Sequence, residues 1–277
     1  MAVTLSLLAA VCYGVADFFG GLASRHRSAA TVVLYSFPIG AVLMFALLPA
    51  FPGSLSGRTA LFGTVAGALG MGGVVIMYGA MAVAPLNIIS PVTAVLAAAV
   101  PVAFGVFTGE RPATIAWGGI LLGLVAVVLV SRVPDDHPHG PLAKRVLVVT
   151  LVAGVAFGLY FVLLARADSN SGLWPLAIAR ASSGVLVVPT AWRMKAFQVL
   201  RGRVLVMAVI TGILDASANL FFLQASRHGL LSLASVISSL YPAATVLLAI
   251  MILREHTGRL QRVGLALAAA AIILITR

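Results

Sequence analysis

Laid against itself with a shift of about 145 residues, the chain matches its own second half. Gly67 falls on Gly212, Leu69 on Leu214, Ala80 on Ala225, Glu110 on Glu255 and Gly119 on Gly264. A shift one residue shorter puts Gly14 on Gly158 and Gly40 on Gly184. Each half also holds an odd number of hydrophobic runs. An odd number of crossings leaves a chain on the far side of a membrane, so the second copy enters from the opposite face. Inverted copies of this kind are a common architecture of transporters that rock about a central site.

The runs themselves decide the solvent. Residues are 61% hydrophobic and only 9% charged, where a soluble protein carries charge on roughly a quarter. Each run is close to 20 residues, enough for a hydrocarbon core of about 30 Å at a helical rise of 1.5 Å. In lipid every backbone amide needs an internal partner, so the runs are expected to be helices. They fall at roughly 3–23, 31–50, 59–82, 86–108, 113–131, 146–167, 174–193, 203–226, 229–253 and 259–276. The expected fold is an all-α integral membrane protein, with ten transmembrane helices as two inverted five-helix repeats. The first repeat is 1–131, the linker loop 132–145 and the second repeat 146–277.

Charge adds a direction. Twelve Lys and Arg fall in the loops after the odd-numbered spans, five fall on the other side, and the eighteenth, Arg180, lies inside a span. Positive loops stay in the cytoplasm, so both termini are expected outside. The net charge of +11 therefore reads as membrane anchoring rather than nucleic-acid binding, because the basic residues cap spans instead of forming one soluble face. The single Cys12 lies within the first span and has no internal disulfide partner.

Several short segments resemble a known family. Gly109-Glu110-Arg111-Pro112 followed by Trp117 to Gly123 is similar to the Gly-Glu-Arg signature and glycine-bearing final helix of EamA-type repeats. Leu240-Tyr241-Pro242, Arg254-Glu255 and Val263-Gly264 form its second copy. Tyr13-Gly14 and Phe157-Gly158 resemble the aromatic–glycine step that opens each repeat, and Tyr78-Gly79-Ala80 and Leu223-Gln224-Ala225 the end of its third helix. The resemblance covers nearly the whole chain and implies the drug/metabolite transporter superfamily. It implies secondary transport of small organic solutes, a bacterial inner-membrane location, and a cavity lined mainly by the first, third and fourth helices of each repeat, with the fifth helices peripheral. The chain departs from the pattern where the second-helix Arg, present as Arg180, is matched by Ser36 in the first copy, and where a helix proline stands at Pro101 rather than at Ala97.

Charged groups within spans mark candidate sites, since each costs about 2.5–3.5 kcal/mol to insert. Asp215 lies near the middle of the eighth span, with Asn219 one turn further on the same face. A carboxylate and an amide at that depth suit an amine or a proton; a structural Asp joining helices is the alternative. Asp17 either lines the cavity from the other repeat or reaches headgroup water. Arg180 snorkels to the interface, binds ligand, or pairs with an Asp. Tyr13, Tyr78, Tyr160 and Tyr241, with Ser232, Ser235, Ser238 and Ser239, lie on the helices that the resemblance assigns to the cavity. The substrate-binding or proton-coupling set is therefore Asp215, Asn219, Asp17, Tyr13, Tyr78, Tyr160, Ser235 and Arg180. Glu110 and Glu255 are read as caps for the helices that follow them. Pro38, Pro91, Pro101, Pro189 and Pro242 are candidate bend points.

Other chemistry is poorly supported. No phosphate-binding loop is present. All five His (His26, His137, His139, His228, His256) fall in loops, and the cluster Asp135, Asp136, His137, His139 reads as a solvated linker rather than a metal site. No cofactor is expected. The expected partners are a small-molecule substrate, the lipid bilayer and protons as a candidate coupling ion. A membrane-embedded enzyme and a non-transporting scaffold are the alternatives.

Overall fold

The computed structural model describes residues 1–83, 86–130, 141–253 and 258–275. All regular structure among them is helical. In chain order the helices are α1 (Ala2–His26), α2 (Ala29–Leu47), α3 (Gly57–Val83), α4 (Leu86–Phe107), α5 (Thr114–Val130), α6 (Pro141–Ala165), α7 (Trp174–Arg193), α8 (Gly202–His228), α9 (Leu231–Ser238), α10 (Tyr241–Leu253) and α11 (Arg259–Ile275). Short 3₁₀ turns at Leu48–Ala50 and Ser169–Ser171 follow α2 and α6.

Five segments are long and apolar enough to cross a membrane: Ala2–His26, Ala29–Ala50, Gly57–Ala82, Val146–Ala165 and Gly202–His228. Shorter apolar stretches among the described residues include Thr93–Phe107 and Thr114–Leu129. Their outward faces are oily as well. Val42, Leu121, Val185 and Met251 are each more than 60% exposed, a surface that only lipid covers without cost.

The expected ninth span is not one helix. It breaks at Ser239–Leu240 into α9 and α10, because Pro242 has no amide hydrogen to continue the ladder. At 1.5 Å per residue the eight residues of α9 reach about 12 Å and the thirteen of α10 about 20 Å, so each spans only part of a bilayer. Side chains tie the broken segment to α1: Ser238 Oγ donates to Ser6 O at 3.4 Å and Thr245 Oγ1 to Gly14 O at 3.0 Å. In α4, by contrast, helix runs through both Pro91 and Pro101. Pro38 and Pro189 likewise sit inside α2 and α7.

Helix contacts come in exchanged pairs. α1 packs along α8 and α3 along α6; α2 packs on α8 and α3 on α7; α4 packs on α6 and α10 on α1; α5 packs along α11. Two of the duplicated glycines, Gly67 and Gly212, sit at these crossings. A Cβ on Gly67 would fall 2.2 Å from Ala179 O, and one on Gly212 would fall 2.4 Å from Ser36 O. Only a residue without a side chain lets the backbones approach this closely.

Glu110 caps a different helix from the one expected. α4 ends at Phe107, and Gly109, at φ +101°, turns the chain so that Glu110 faces away from α5. Its carboxylate instead accepts Leu231 N at 2.7 Å and Ser232 N at 3.0 Å, the first amides of α9. That helix has no capping side chain of its own. Glu110→Ala is therefore expected to lower stability by about 1–2 kcal/mol, with Glu110→Gln losing less; thermal unfolding in detergent measures both. Glu255, the second-copy counterpart, and the linker cluster Asp135 to His139 lie outside the described residues.

Candidate functional site

The central cavity is walled by helices from both halves. Tyr13 and Asp17 come from α1, Phe37 from α2, Met77 from α3, Tyr160 from α6, Arg180 from α7, Asp215 and Asn219 from α8, and Ser235 from α9. Its volume of about 60 Å³ holds a few waters, so a larger solute requires the helices to part.

Polar side chains form one chain across it. Tyr13 and Tyr160 both donate to Asn219 Oδ1, each at 2.7 Å. With its oxygen so engaged, the Asn219 amide nitrogen donates to the Asp215 carbonyl at 2.6 Å and to Asp215 Oδ1 at 3.4 Å. The carboxylate of Asp215 pairs with the Arg180 guanidinium, the one ion pair among the described residues. That guanidinium lies over the Phe37 ring, 4.9 Å from its centroid, a geometry in which the ring face attracts the cation. Arg180 is 5% exposed, and its Nε is buried without a hydrogen-bond partner.

Burial overturns two of the alternatives raised by the sequence. Arg180 does not snorkel to an interface, because Asp215 holds it in the interior. Asp17 does not reach headgroup water. It is 8% exposed, a further nine residues of α1 follow it, and it lines the cavity. Behind it stands Tyr78 of α3, whose hydroxyl lies against Gly20, one turn on from Asp17. Tyr78 is itself 2% exposed and does not form part of the wall.

The serines divide. Ser235, Ser238 and Ser239 reach the wall and Ser232 does not. Ser235 Oγ donates to Leu231 O and Ser239 Oγ to Val236 O, each at 2.7 Å, so both hydroxyls are engaged by their own helix. Tyr241 lines the cavity, its hydroxyl 3.0 Å from Thr93 Oγ1.

Among the wall residues that carry no signal of their own in the sequence are Phe37, Phe161 and Ser183, while Phe157 stands out there only through the aromatic–glycine resemblance. Ser183 has the nearest thing to one, lying three residues from Arg180 on the same face of α7. It donates to Ala179 O at 2.7 Å and Gly67 O at 2.8 Å. The wall also draws on second helices, which supply Phe37 and Arg180, and among the described residues none of α5 or α11 lines it. Among the described residues no three His, Cys, Asp or Glu gather as metal ligands.

Comparison with known proteins matches this architecture. A solved crystal structure superposes on 99% of this chain and 96% of its own with a TM-score of 0.80. At 17% identity that likeness is one of fold alone. No curated protein matches the chain. The model of the EamA-like transporter family matches twice, over residues 1–132 and 144–277. The two matches together span almost the whole sequence, and the chain belongs to this family of multi-pass membrane transporters of small solutes.

Proposed function

We propose that the protein is a secondary transporter that moves a small zwitterionic metabolite, an amino acid or a related solute, by alternating access about the central cavity. The observation that carries this reading is the buried Arg180–Asp215 pair in a cavity walled by both halves. A solute with a carboxylate and an ammonium group separates the two charges and satisfies each, with Arg180 taking the carboxylate and Asp215 the amine. The unpartnered Arg180 Nε adds a donor for the incoming carboxylate. Tyr13, Tyr160 and Asn219 then line the site with hydroxyl and amide groups that orient the solute.

The ten-span arrangement belongs to this proposal. The repeats 1–131 and 146–277 cross in opposite senses, with α9 and α10 forming one interrupted crossing. Both termini face outward, as the charge bias favours. Export from the cytoplasm is the proposed direction, since the superfamily that the sequence resembles includes amino-acid and metabolite exporters.

Purified protein in liposomes, tested against a panel of radiolabelled amino acids and related solutes with and without a pH gradient, decides the matter. Uptake above that of protein-free liposomes for at least one zwitterion is the expected result. Flux for none of the panel, or for cations and anions equally, removes the reading.

A further inference from the structure

We infer that Asp17 is the proton-binding group of the transport cycle, distinct from the Arg180–Asp215 pair that receives the solute. This inference rests on the transport reading above.

The two carboxylates of the cavity have different surroundings. Asp215 is compensated by Arg180. Asp17 is more deeply buried than Asp215, but Arg180–Asp215 is the one ion pair among the described residues, so no cation pairs with Asp17 there. The groups around it are Tyr78 from α3, packed against Gly20 one turn away, and, in the same cavity wall, Asp215 from α8, Tyr13 on its own helix and Tyr241 from α10. A negative charge in apolar surroundings, with another carboxylate near and no cation beside it, is tolerated only when a proton or a cationic solute accompanies it.

The contact with Tyr78 is built into the backbone. Gly20 lies one turn on from Asp17, and a Cβ there would fall 2.3 Å from Tyr78 Cζ and 2.4 Å from its hydroxyl oxygen. The missing side chain lets the ring close on α1, which brings its hydroxyl within one turn of the carboxyl. Tyr78 and Gly20 are thus positioning residues for Asp17. The carboxylate takes a proton from water admitted at one face and returns it to water at the other. The O–H bond is the only one made and broken.

Separating proton and solute sites has a measurable signature. Proteoliposomes are assayed with labelled zwitterionic amino acids in two modes: counterflow without a gradient, and accumulation under an imposed pH gradient. The ratio of gradient-driven uptake to counterflow is expected to fall at least about tenfold in Asp17→Asn. In Asp215→Asn counterflow and gradient-driven uptake are lost together. Tyr78→Phe and Gly20→Ala move the pH of half-maximal gradient-driven rate. A wild-type ratio in Asp17→Asn overturns the inference, as does wild-type counterflow that no pH gradient drives. Absence of counterflow in the wild type overturns the transport reading, and this inference with it. Should Asp17→Asn not fold, infrared titration of the wild type and Tyr78→Phe decides. A protonated-carboxyl band whose midpoint moves in Tyr78→Phe supports the assignment, and a band that does not move, or no band, overturns it.

Discussion

Arg180→Ala is expected to destabilise the protein by about 3–5 kcal/mol and to abolish solute flux, because it leaves the Asp215 carboxylate buried without its cation. Asp215→Asn is expected to act in the same direction from the other side, stranding the guanidinium over Phe37. Either variant alone confounds structure with function. The double variant Arg180→Met, Asp215→Leu separates them. Replacing a buried pair by apolar residues of similar volume is often neutral or stabilising by about 1–4 kcal/mol, so the thermal midpoint recovers. Flux does not recover, because the solute's charges no longer have partners. Recovery of both would make the pair a structural bridge. Unfolding monitored in detergent and flux measured in liposomes give the two readouts on one preparation.

The second large effect is steric. Gly67→Ala and Gly212→Ala are each expected to cost about 1–3 kcal/mol, and Leu at either site to prevent folding. At Gly67 a methyl group would meet Ala179 O at 2.2 Å, and at Gly212 Ser36 O at 2.4 Å. A backbone carbonyl inside a helix cannot swing aside as a side-chain tip does, so the helices must separate. The control lies on the same helix as Gly67. Gly72 and Gly79 have nothing within 4 Å of an added Cβ, and Ala there is expected to be neutral or slightly stabilising. Folded yield and thermal midpoint across the four Ala variants test the contrast. Equal effects at all four positions would mean that helix propensity, rather than close approach, governs these sites.

The role of these two glycines is legible in the sequence, since the same spacing recurs in both halves and small residues mark helix crossings. Asp215 and Asn219 are legible for a similar reason, standing one turn apart in an otherwise apolar run. The pairing of Asp215 with Arg180 is not. It joins positions 35 residues apart on different helices, and periodicity within one helix carries no information on which neighbour a buried charge will find. Proximity along the chain misleads for Glu110. The amides nearest in sequence belong to α5, whereas those it meets in space open α9. Hydropathy shows one ninth run where the backbone forms two helices, because a side-chain scale does not register the amide that Pro242 lacks. Phe37 and Phe161 look like any other lipid- or core-facing aromatic until the helices are folded around the cavity.

Tyr78 and Asp17 illustrate how far residue type alone goes. Both are candidates by type and helix. The structure sets Asp17 in the wall and Tyr78 behind it, a difference that depends on Gly20 letting the ring close on α1.

The central claim is that two copies of one bundle cross the membrane in opposite senses around a shared cavity. Single-cysteine labelling with an impermeant maleimide tests it most directly, once Cys12, the sole native cysteine, has been replaced. One cysteine goes into the α1–α2 connection at Ser28 and another into the equivalent α6–α7 connection at Asn170. The account expects Asn170→Cys to label from outside intact cells and Ser28→Cys only after the membrane is opened. Labelling of both from the same face would contradict it.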